Sequence, residues 1–460
     1  METLDLVIRG GLVVNASGVA EADVGIVGEK IAQVGGPMRG RVEIAADRKV
    51  LIPGGVDVHV HLSQPRPTDS SAPRWVDDFY TGSLAAIAGG VTTIGNMTFQ
   101  WPGETLEQAV ARDMALATAD AAVDFILHPV LTAPTPESRA EIPLLAARGF
   151  PSLKVFLVSP SFDAFVDDYI EAIRIAGRHG VLVMLHCEDG GIIRSVTEQL
   201  ADRGMGTLRH WADSRPTYAE EVAVRRAIGV CRATGAAVYV VHLSSAAALR
   251  AAEDAKAEGL PVYVESRPMY LHLTREKLEG SEGAKFIGAP PLRDERDVEA
   301  LWTGLVRGTI DTVATDHAPW SLAAKLDPAL DLHTARQGVA DLETSLPMLF
   351  SKGVVGGLIP LTRFVELVSS APARLFGLWP RKGVIAPGSD ADIVVWDPER
   401  RHVVRGETMY SRAGYSVYEG TEVMGAPWMT ISRGTVVMEN GQITASRGRG
   451  TWLPSEDRVP

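Results

Sequence analysis

Cysteine is nearly absent: the chain of 460 residues has two, Cys187 and Cys231. Two thiols make no disulfide framework, and such a chain is expected in a reducing compartment, the cytoplasm. Basic charge is in deficit, with 45 Lys and Arg against 57 Asp and Glu and a net charge of −12. A nucleic-acid partner is therefore not expected, because nothing offers the cationic surplus that displaces counterions from phosphate. No run reaches the roughly 18 uncharged apolar residues of a membrane span. The opening METLDLVIRGG carries early acids and no apolar core of signal length, so neither a membrane partner nor an export signal is expected. Short-period repeats, low-complexity tracts and long charge runs are missing. So are a phosphate loop, a dinucleotide fingerprint and a nucleophile elbow; "GSDAD" and "HLSSA" fit none of them. What remains is 46% hydrophobic and 22% charged, the balance of an ordinary globular chain.

The two ends differ from the centre. Residues 1–52 contain LDLVIRGGLVVN, ADVGIVGEKIAQVG and RVEIAADRKVLIPG, period-two runs parted by Gly-rich turns, which predict antiparallel strands. The same texture returns from about 384 to 445, where "ENG" predicts a hairpin turn, and residues 384–460 are taken as the C-terminal part of the sandwich and a tail. One β-sandwich built from both termini is expected, with residues 53–383 as a separate domain. That centre alternates strand and helix. Its strand candidates are Val56–Leu62, Val91–Met97, Val123–Val130, Ser152–Val158, Val181–Cys187, Val238–Leu243, Val262–Ser266 and Thr309–Asp316. Eight βα units predict a closed (β/α)8 TIM barrel, with its site at the C-terminal ends of the strands.

Those ends carry the chemistry. In strand one, Val56, Val58 and Val60 alternate with Asp57, His59 and His61, so the polar set is expected on one interior face. A lone His there is ordinarily a satisfied core residue, whereas two at i and i+2 can share one metal. Lys154 stands between Leu153 and Val155 in strand four. A buried ammonium needs a partner or a lowered pKa. Beside four barrel histidines, the favoured form is a carbamate made from the neutral amine and CO2, an anionic ligand able to bridge two metals. His186 and His242 end strands five and six, and Asp316 ends strand eight. Imidazole with carboxylate oxygen suits zinc, with manganese or iron as alternatives. Six ligands exceed the three that one catalytic zinc takes, and two ions about 3.5–4 Å apart match the inventory.

Other residues have weaker claims. His128 and His317 are expected to back the site or fill core. His179 reads as a helix cap, and His210, His272, His333 and His402 are assigned no chemistry. Cys187 lacks a general base and is read as packing.

Together these motifs resemble the amidohydrolase superfamily, and within it the cyclic amidohydrolases. The resemblance rests on Gly54-Gly55-Val56-Asp57-Val58-His59-Val60-His61, then Lys154, His186, His242 and Asp316. It extends over nearly the whole chain, through AGGVTTIGNM, SRPTYAEEVAVRRAI, VYVVHLSS, PPLRDERD, GLWPRKGVIAPGSDADIVVWDP and YEGTEVMGAPWMTISRGTVVMENG. The last two are similar to hydantoinases and dihydropyrimidinases. VESRPMYLHLT and ADLETSLPMLFSKGV look most like the L-selective hydantoinase branch.

The resemblance implies a two-metal centre bridged by a carboxylated lysine and a hydroxide that attacks a cyclic amide, with Asp316 moving the proton as general base and acid. It also implies a homotetramer, and substrate contacts at Ala289, Gln337 and Gly338. Three positions depart from the pattern. Ala289 stands where a Ser usually precedes the double proline, as in allantoinases and the L-hydantoinase branch. Ser63 stands where dihydroorotases hold the substrate carboxylate with Arg. Ser159 stands where dihydropyrimidinases and D-hydantoinases carry an oxyanion-binding Tyr.

The expected substrates are, in order, a 5-substituted hydantoin or related cyclic ureide, dihydrouracil or dihydrothymine, and allantoin. A non-catalytic dihydropyrimidinase-related structural protein, which would have lost ligands, is the alternative of another class. Loops 62–75 and 156–165 are expected to shape the pocket. Trp101, Phe156, Phe162 and Phe165 are candidates for sheltering an apolar substituent, with plain core as their alternative. The tail Thr451-Trp452-Leu453-Pro454 is expected to pack on a neighbouring subunit or to hang loose.

Overall fold

A computed structural model describes residues 3–66 and 72–455. Five strands come first: β1 (Leu4–Asn15), β2 (Gly18–Val27), β3 (Lys30–Val34), β4 (Gly40–Ala45) and β5 (Val50–Pro53). Eight more alternate with helices: β6 (Gly55–Val60), β7 (Val91–Phe99), β8 (Asp124–Val130), β9 (Ser152–Phe156), β10 (Leu182–His186), β11 (Val238–Val240), β12 (Val262–Ser266) and β13 (Thr312–Val313). The last four are β14 (Ile393–Val403), β15 (Glu422–Ser432), β16 (Thr435–Glu439) and β17 (Gln442–Ile443).

Strands β6 to β13 pair in chain order, parallel throughout. The ring closes where Val60 bridges His317 and the His61 N–H donates to the His317 carbonyl at 2.8 Å. Period-two alternation decides which side chains face inward. In β9, Leu153 and Val155 turn out under the helices while Lys154 turns in. The same rule puts Met184 and Tyr239 into the barrel interior with Val56, Val58, Met97 and Ala314. Helices enter and leave at specified residues. Asp78 and Thr105 cap the helices Phe79–Gly89 and Leu106–Asp120 with reciprocal side-chain bonds. Gly90, at φ 86°, ends the first of these and releases the chain into β7.

The chain's two ends form one nine-stranded sheet in the order β17-β16-β15-β14-β5-β1-β2-β3, with β4 also on β1. They are stitched directly, since β5 pairs antiparallel with β14, and Ile8, Val24, Ile26, Leu51, Ile393 and Ile431 share one core. Asn440 and Gly441, both at positive φ, make the expected hairpin turn between β16 and β17. One expectation fails. RVEIAADRKVLIPG is two strands, β4 and β5, and both run parallel to β1. A period-two run specifies a strand but not its direction, and the edge of β1 opposite β2 accepts strands that run alongside it.

The tail also departs from expectation. β8 and β9 pair only at Val130–Lys154, which leaves a gap at the barrel base. Residues 451–453 fill it: Phe125 donates to Thr451 at 3.0 Å, Leu453 donates back to Phe125 at 2.9 Å, and Leu453 enters the barrel core. The tail therefore packs on its own barrel. Among the described residues no helix is long and apolar enough to cross a membrane.

Candidate metal centre

The strand ends converge at the barrel mouth. β6 carries His59 and His61, but Asp57 does not share their face. The β6–β7 register shifts between Asp57 and Val60, and Val58 joins the interior cluster directly before His59. Asp57 turns to backbone instead, accepting from the His59 N–H at 3.1 Å and the Thr315 N–H at 3.2 Å. A bulge re-aims side chains in this way next to functional sites. Two further groups arrive by backbone strain. Val241 already faces inward, so a regular continuation would send His242 outward. His242 lies at φ 39° and Asp316 at φ 50°, left-handed values that non-glycine residues seldom adopt.

His59, His61 and Asp316 present ligand atoms within 4.8 Å of one another. His61 Nε2 lies 2.9 Å from Asp316 Oδ1, and His59 Nε2 lies 3.3 Å from the same oxygen. On the other side, His186 Nδ1 is 3.0 Å from His242 Nε2. Lys154 is fully buried, its Nζ has no hydrogen-bond partner, and its charge acts on His59, His186 and His242. All six sequence candidates thus meet in one place. Burial brings the Lys154 amine down to about 8. It also lowers His59 and His242, first by burial and then by the charges of Lys154 and His186 respectively, which keeps these rings neutral. Burial pushes the Asp316 carboxyl up, but the buried Arg267 guanidinium on its Oδ2 opposes this, and the carboxyl is held well below the usual carboxylate range.

The donor set fits a cation. His59 donates Nδ1–H to Glu265 at 2.8 Å, which turns the lone pair of Nε2 toward a carboxylate oxygen. Two acceptors facing each other in a buried site call for a cation or proton between them. The partnerless Lys154 nitrogen marks a second incomplete position.

Several residues around the site escaped the sequence pattern. Glu265, on β12, accepts from His59, from the His242 N–H at 2.9 Å and from the Tyr239 hydroxyl at 2.9 Å. Glu188 accepts from His186 Nε2 at 2.9 Å and from Arg215 at 2.7 Å. Burial alone would raise the Glu188 carboxyl, but Arg215 and His186 hold it at about 2. Arg267, fully buried, donates to Asp316 Oδ2 at 2.8 Å. An acid inside an apolar run, as in VYVES, is a signal of the same kind as Lys154.

A cavity of about 370 Å³ opens above the centre, with His61, His186 and Asp316 in its floor. Trp75, Phe99, Leu131, Phe156, Val158 and Tyr169 form its apolar wall. Ser159, Ala289, Gln337 and Gly338 all line it. Among the described residues no Lys or Arg does. Pro65 and Trp75 represent the loop 62–75, whose residues 67–71 lie outside the described residues.

Of the four aromatic candidates only Phe156 reaches the cavity. Phe162 is buried beneath its own helix, Phe165 is exposed, and Trp101 stacks on Arg112. Strand-following position did not distinguish them, because the loop after β9 turns at once into a helix capped by Ser159. Tyr169, which the sequence did not single out, takes a wall position. Its hydroxyl donates to the Thr132 carbonyl at 3.0 Å. Ser63 turns away and donates to buried Asp113 at 2.6 Å.

His317 backs the site, its Nε2 3.0 Å from Asp77 and its Nδ1 accepting from the Asp341 N–H at 3.2 Å. His128 is buried beneath it beside Ser152. Burial pushes the Cys187 thiol far up, which leaves it inert.

Comparison with known proteins agrees with this geometry. The family model described as "Amidohydrolase family" matches residues 50–437. A D-phenylhydantoinase from Escherichia coli is 37% identical over 461 residues, covering 99% of each chain. Among solved structures, a D-hydantoinase (dihydropyrimidinase) from Thermus sp. superposes with a TM-score of 0.93 at 33% identity, covering 99% of this chain and 100% of that one. An L-hydantoinase (dihydropyrimidinase) from Arthrobacter aurescens gives 0.90 at 30% identity, covering 98% and 100%. The likeness therefore spans both the D and L branches.

Proposed function

The chain belongs to the amidohydrolase family, in its hydantoinase and dihydropyrimidinase group, and from that premise we propose that this hydrolase opens the ring of a 5-substituted hydantoin or a related cyclic ureide. The observation that carries the proposal is the join between the six-residue cluster and an apolar cavity that, among the described residues, has no Lys or Arg in its lining. A neutral ring with an apolar substituent suits that cavity. A carboxylated ring finds no arginine among the described lining residues, and Ser63 is turned into the core.

His59, His61 and Asp316 would hold one divalent cation and His186 and His242 a second, zinc first, with manganese or iron as alternatives. Lys154, brought to about 8 by burial, keeps a neutral fraction that would bond CO2 through nitrogen with release of a proton, and the carbamate would add an anionic oxygen ligand to the set. Bound cations supply Lewis acidity, acidifying water and polarising the ring carbonyl.

The chain's own residues do the rest. Glu265 and Glu188 fix the tautomers of His59 and His186 through their second nitrogens. Asp316, ionised at the mouth, accepts the proton of the attacking water and returns it to the leaving ring nitrogen. Ala289, Gln337 and Gly338 meet the imide edge, while the apolar wall takes the substituent and excludes water. Ser159 offers the hydroxyl of a helix cap, shorter by a whole ring than a tyrosine.

Dihydrouracil is the second reading, favoured by the names of relatives that include dihydropyrimidinase, and allantoin the third. A non-catalytic role finds no support in a cluster that keeps all six groups. We also propose the chain division 1–52, 53–383 and 384–460, a cytoplasmic location and assembly into homotetramers. Light scattering at about the mass of one chain at micromolar concentration would refute the last.

The deciding experiment is parallel ring opening of benzyl- and isopropyl-hydantoin, dihydrouracil, allantoin and dihydroorotate by zinc- and manganese-loaded enzyme. The hydantoins are expected fastest. Fast turnover of dihydroorotate, or dihydrouracil ahead of every hydantoin by about tenfold, a difference of about 1.4 kcal/mol in barrier, would overturn the assignment.

A further inference from the structure

The short helix Leu322–Lys325 ends below the rim of the cavity on a lysine that is only 1% exposed. Lys325 Nζ donates to three backbone carbonyls, those of Ile287 at 2.6 Å, Arg336 at 2.7 Å and Gly338 at 3.0 Å. Among the described residues no carboxylate pairs with it. A buried charge without a counter-ion is costly unless its hydrogen bonds are complete. Burial, and after it the charge of Arg267, push the Lys325 pKa well below the ordinary lysine value; the three carbonyls act in the opposite sense, because only the ammonium has three N–H donors to satisfy them where the amine has two.

The three carbonyls belong to two separate segments, and both line the cavity, through Ala289 on one and Gln337 and Gly338 on the other. Other bonds lock the same segments. Gly338 donates to Ile287 at 3.1 Å, Trp320 to the Gln337 carbonyl at 2.7 Å, and Trp211 to the Gly288 carbonyl at 2.7 Å. Gly338 sits at φ 114°, where a Cβ would come within 2.5 Å of the Ala318 carbonyl oxygen. The segment has no slack to re-form elsewhere if its tether is lost.

We infer that Lys325 is a positioning residue, an internal cation in a carbonyl cage that clamps segments 287–289 and 336–338 into the single shelf on which the imide edge of the substrate rests. That the shelf meets substrate depends on the function proposed above; that Lys325 clamps it does not.

The test uses full-length, metal-loaded Lys325→Ala, which empties the cage, and Lys325→Met, which fills it without donating. Hydrogen exchange in peptides spanning 287–290 and 336–338 should rise roughly tenfold in both variants, with the terminal sheet unchanged. Metal content should stay at the wild-type level. In ring opening, KM should rise roughly tenfold while kcat changes little, as expected when uniform binding is lost. Ammonium or methylammonium chloride should return Lys325→Ala toward wild type in both readouts, whereas sodium chloride at equal ionic strength should not. Lys325→Met should ignore either salt. Wild-type exchange in Lys325→Met, or loosening of Lys325→Ala that ammonium does not reverse, would overturn the clamp. Should Lys325→Ala fail to fold, exchange in Lys325→Met decides alone. Absence of cyclic-ureide turnover in the wild type would count against the proposed function, and the exchange measurement would still decide on Lys325.

Discussion

Lys154 and Asp316 occupy the same centre and are expected to fail differently when changed. Lys154 has a buried nitrogen without a partner, brought to about 8 by burial. Lys154→Ala removes the carbamate proposed to serve both halves of the cluster, so metal content and nearly all activity should be lost together. A short carboxylic acid should restore part of both by supplying two oxygens in the vacated space. Asp316→Asn keeps the shape and an oxygen donor. It should keep much of the metal, read by elemental analysis, and lose about 10²–10⁴ in rate, the usual range for proton transfer. Equal metal loss in both variants would leave Asp316 a ligand with no proton role. Both residues were legible in the sequence from a polar group ending or interrupting an apolar run. Tyr169 and Lys325 were not, because nothing in their own helices distinguishes them from ordinary amphipathic positions.

Strand ends are flexible places to put ligands unless something ties them together, and here one carboxylate does much of it. Glu265 on β12 receives His59 from β6, the His242 N–H after β11 and the Tyr239 hydroxyl of β11. Glu265→Gln turns one acceptor oxygen into a donor and cannot satisfy all three. Metal affinity should fall about 10–100-fold, as is usual when a group orienting a ligand is lost. Competition with a chelator measures it, and an unchanged affinity would remove Glu265 from the support of the centre. The left-handed turns at His242 and Asp316 belong to the same scale. Such backbone persists where surrounding contacts over-determine it, and the Glu265 bond to the His242 N–H is one of those contacts.

The barrel and the terminal sheet are joined by a buried ion cluster. Lys382, 1% exposed at its side chain, lies 2.6 Å from Asp124 of β8, 2.5 Å from Asp392 and 3.0 Å from Asp390. Burial opposes its charge, but the three carboxylates outweigh burial and raise its pKa. Asp390 is pushed up by burial, yet Lys382 and Lys30 hold it at about 2. The signs set the pH dependence. Stability from Asp390 is present above its unfolded pKa near 3.9 and is lost as pH falls toward about 2. Stability from Lys382 is present below about 10.4 and is lost as pH rises through its raised value. Lys382→Met takes the ion-pair partner from buried Asp392, while Asp390 keeps Lys30 and Arg381 and Asp124 keeps Arg433, and should cost about 3–5 kcal/mol. Denaturant unfolding should show this loss near neutral pH and a shallower decline below pH 4, because the leading cause of the low Asp390 value is gone. A variant as stable as the wild type at pH 7 would show that the cluster does not hold the two parts together.

Much of the molecule was determined by the sequence alone, because the deciding signals are local. Apolar runs alternating with helical stretches marked the eight barrel strands, and period-two runs with Gly turns marked the terminal sheet. Alternation placed Lys154 inside the barrel between Leu153 and Val155, and the ends of apolar runs marked His186, His242 and Asp316. Tertiary structure alone decided what depends on distances between remote residues. The register shift in β6 that parts Asp57 from the histidines answers to β7 and to Thr315, not to its own alternation. The parallel course of β4 and β5 follows from a free edge of β1, and the burial of Leu453 from a gap between β8 and β9. Glu265 and Glu188 became supports of the centre, and Lys325 a clamp, only once folding brought their partners within hydrogen-bond reach. A side chain's chemistry is written in its own residue, but the group it serves is set by what packing brings beside it.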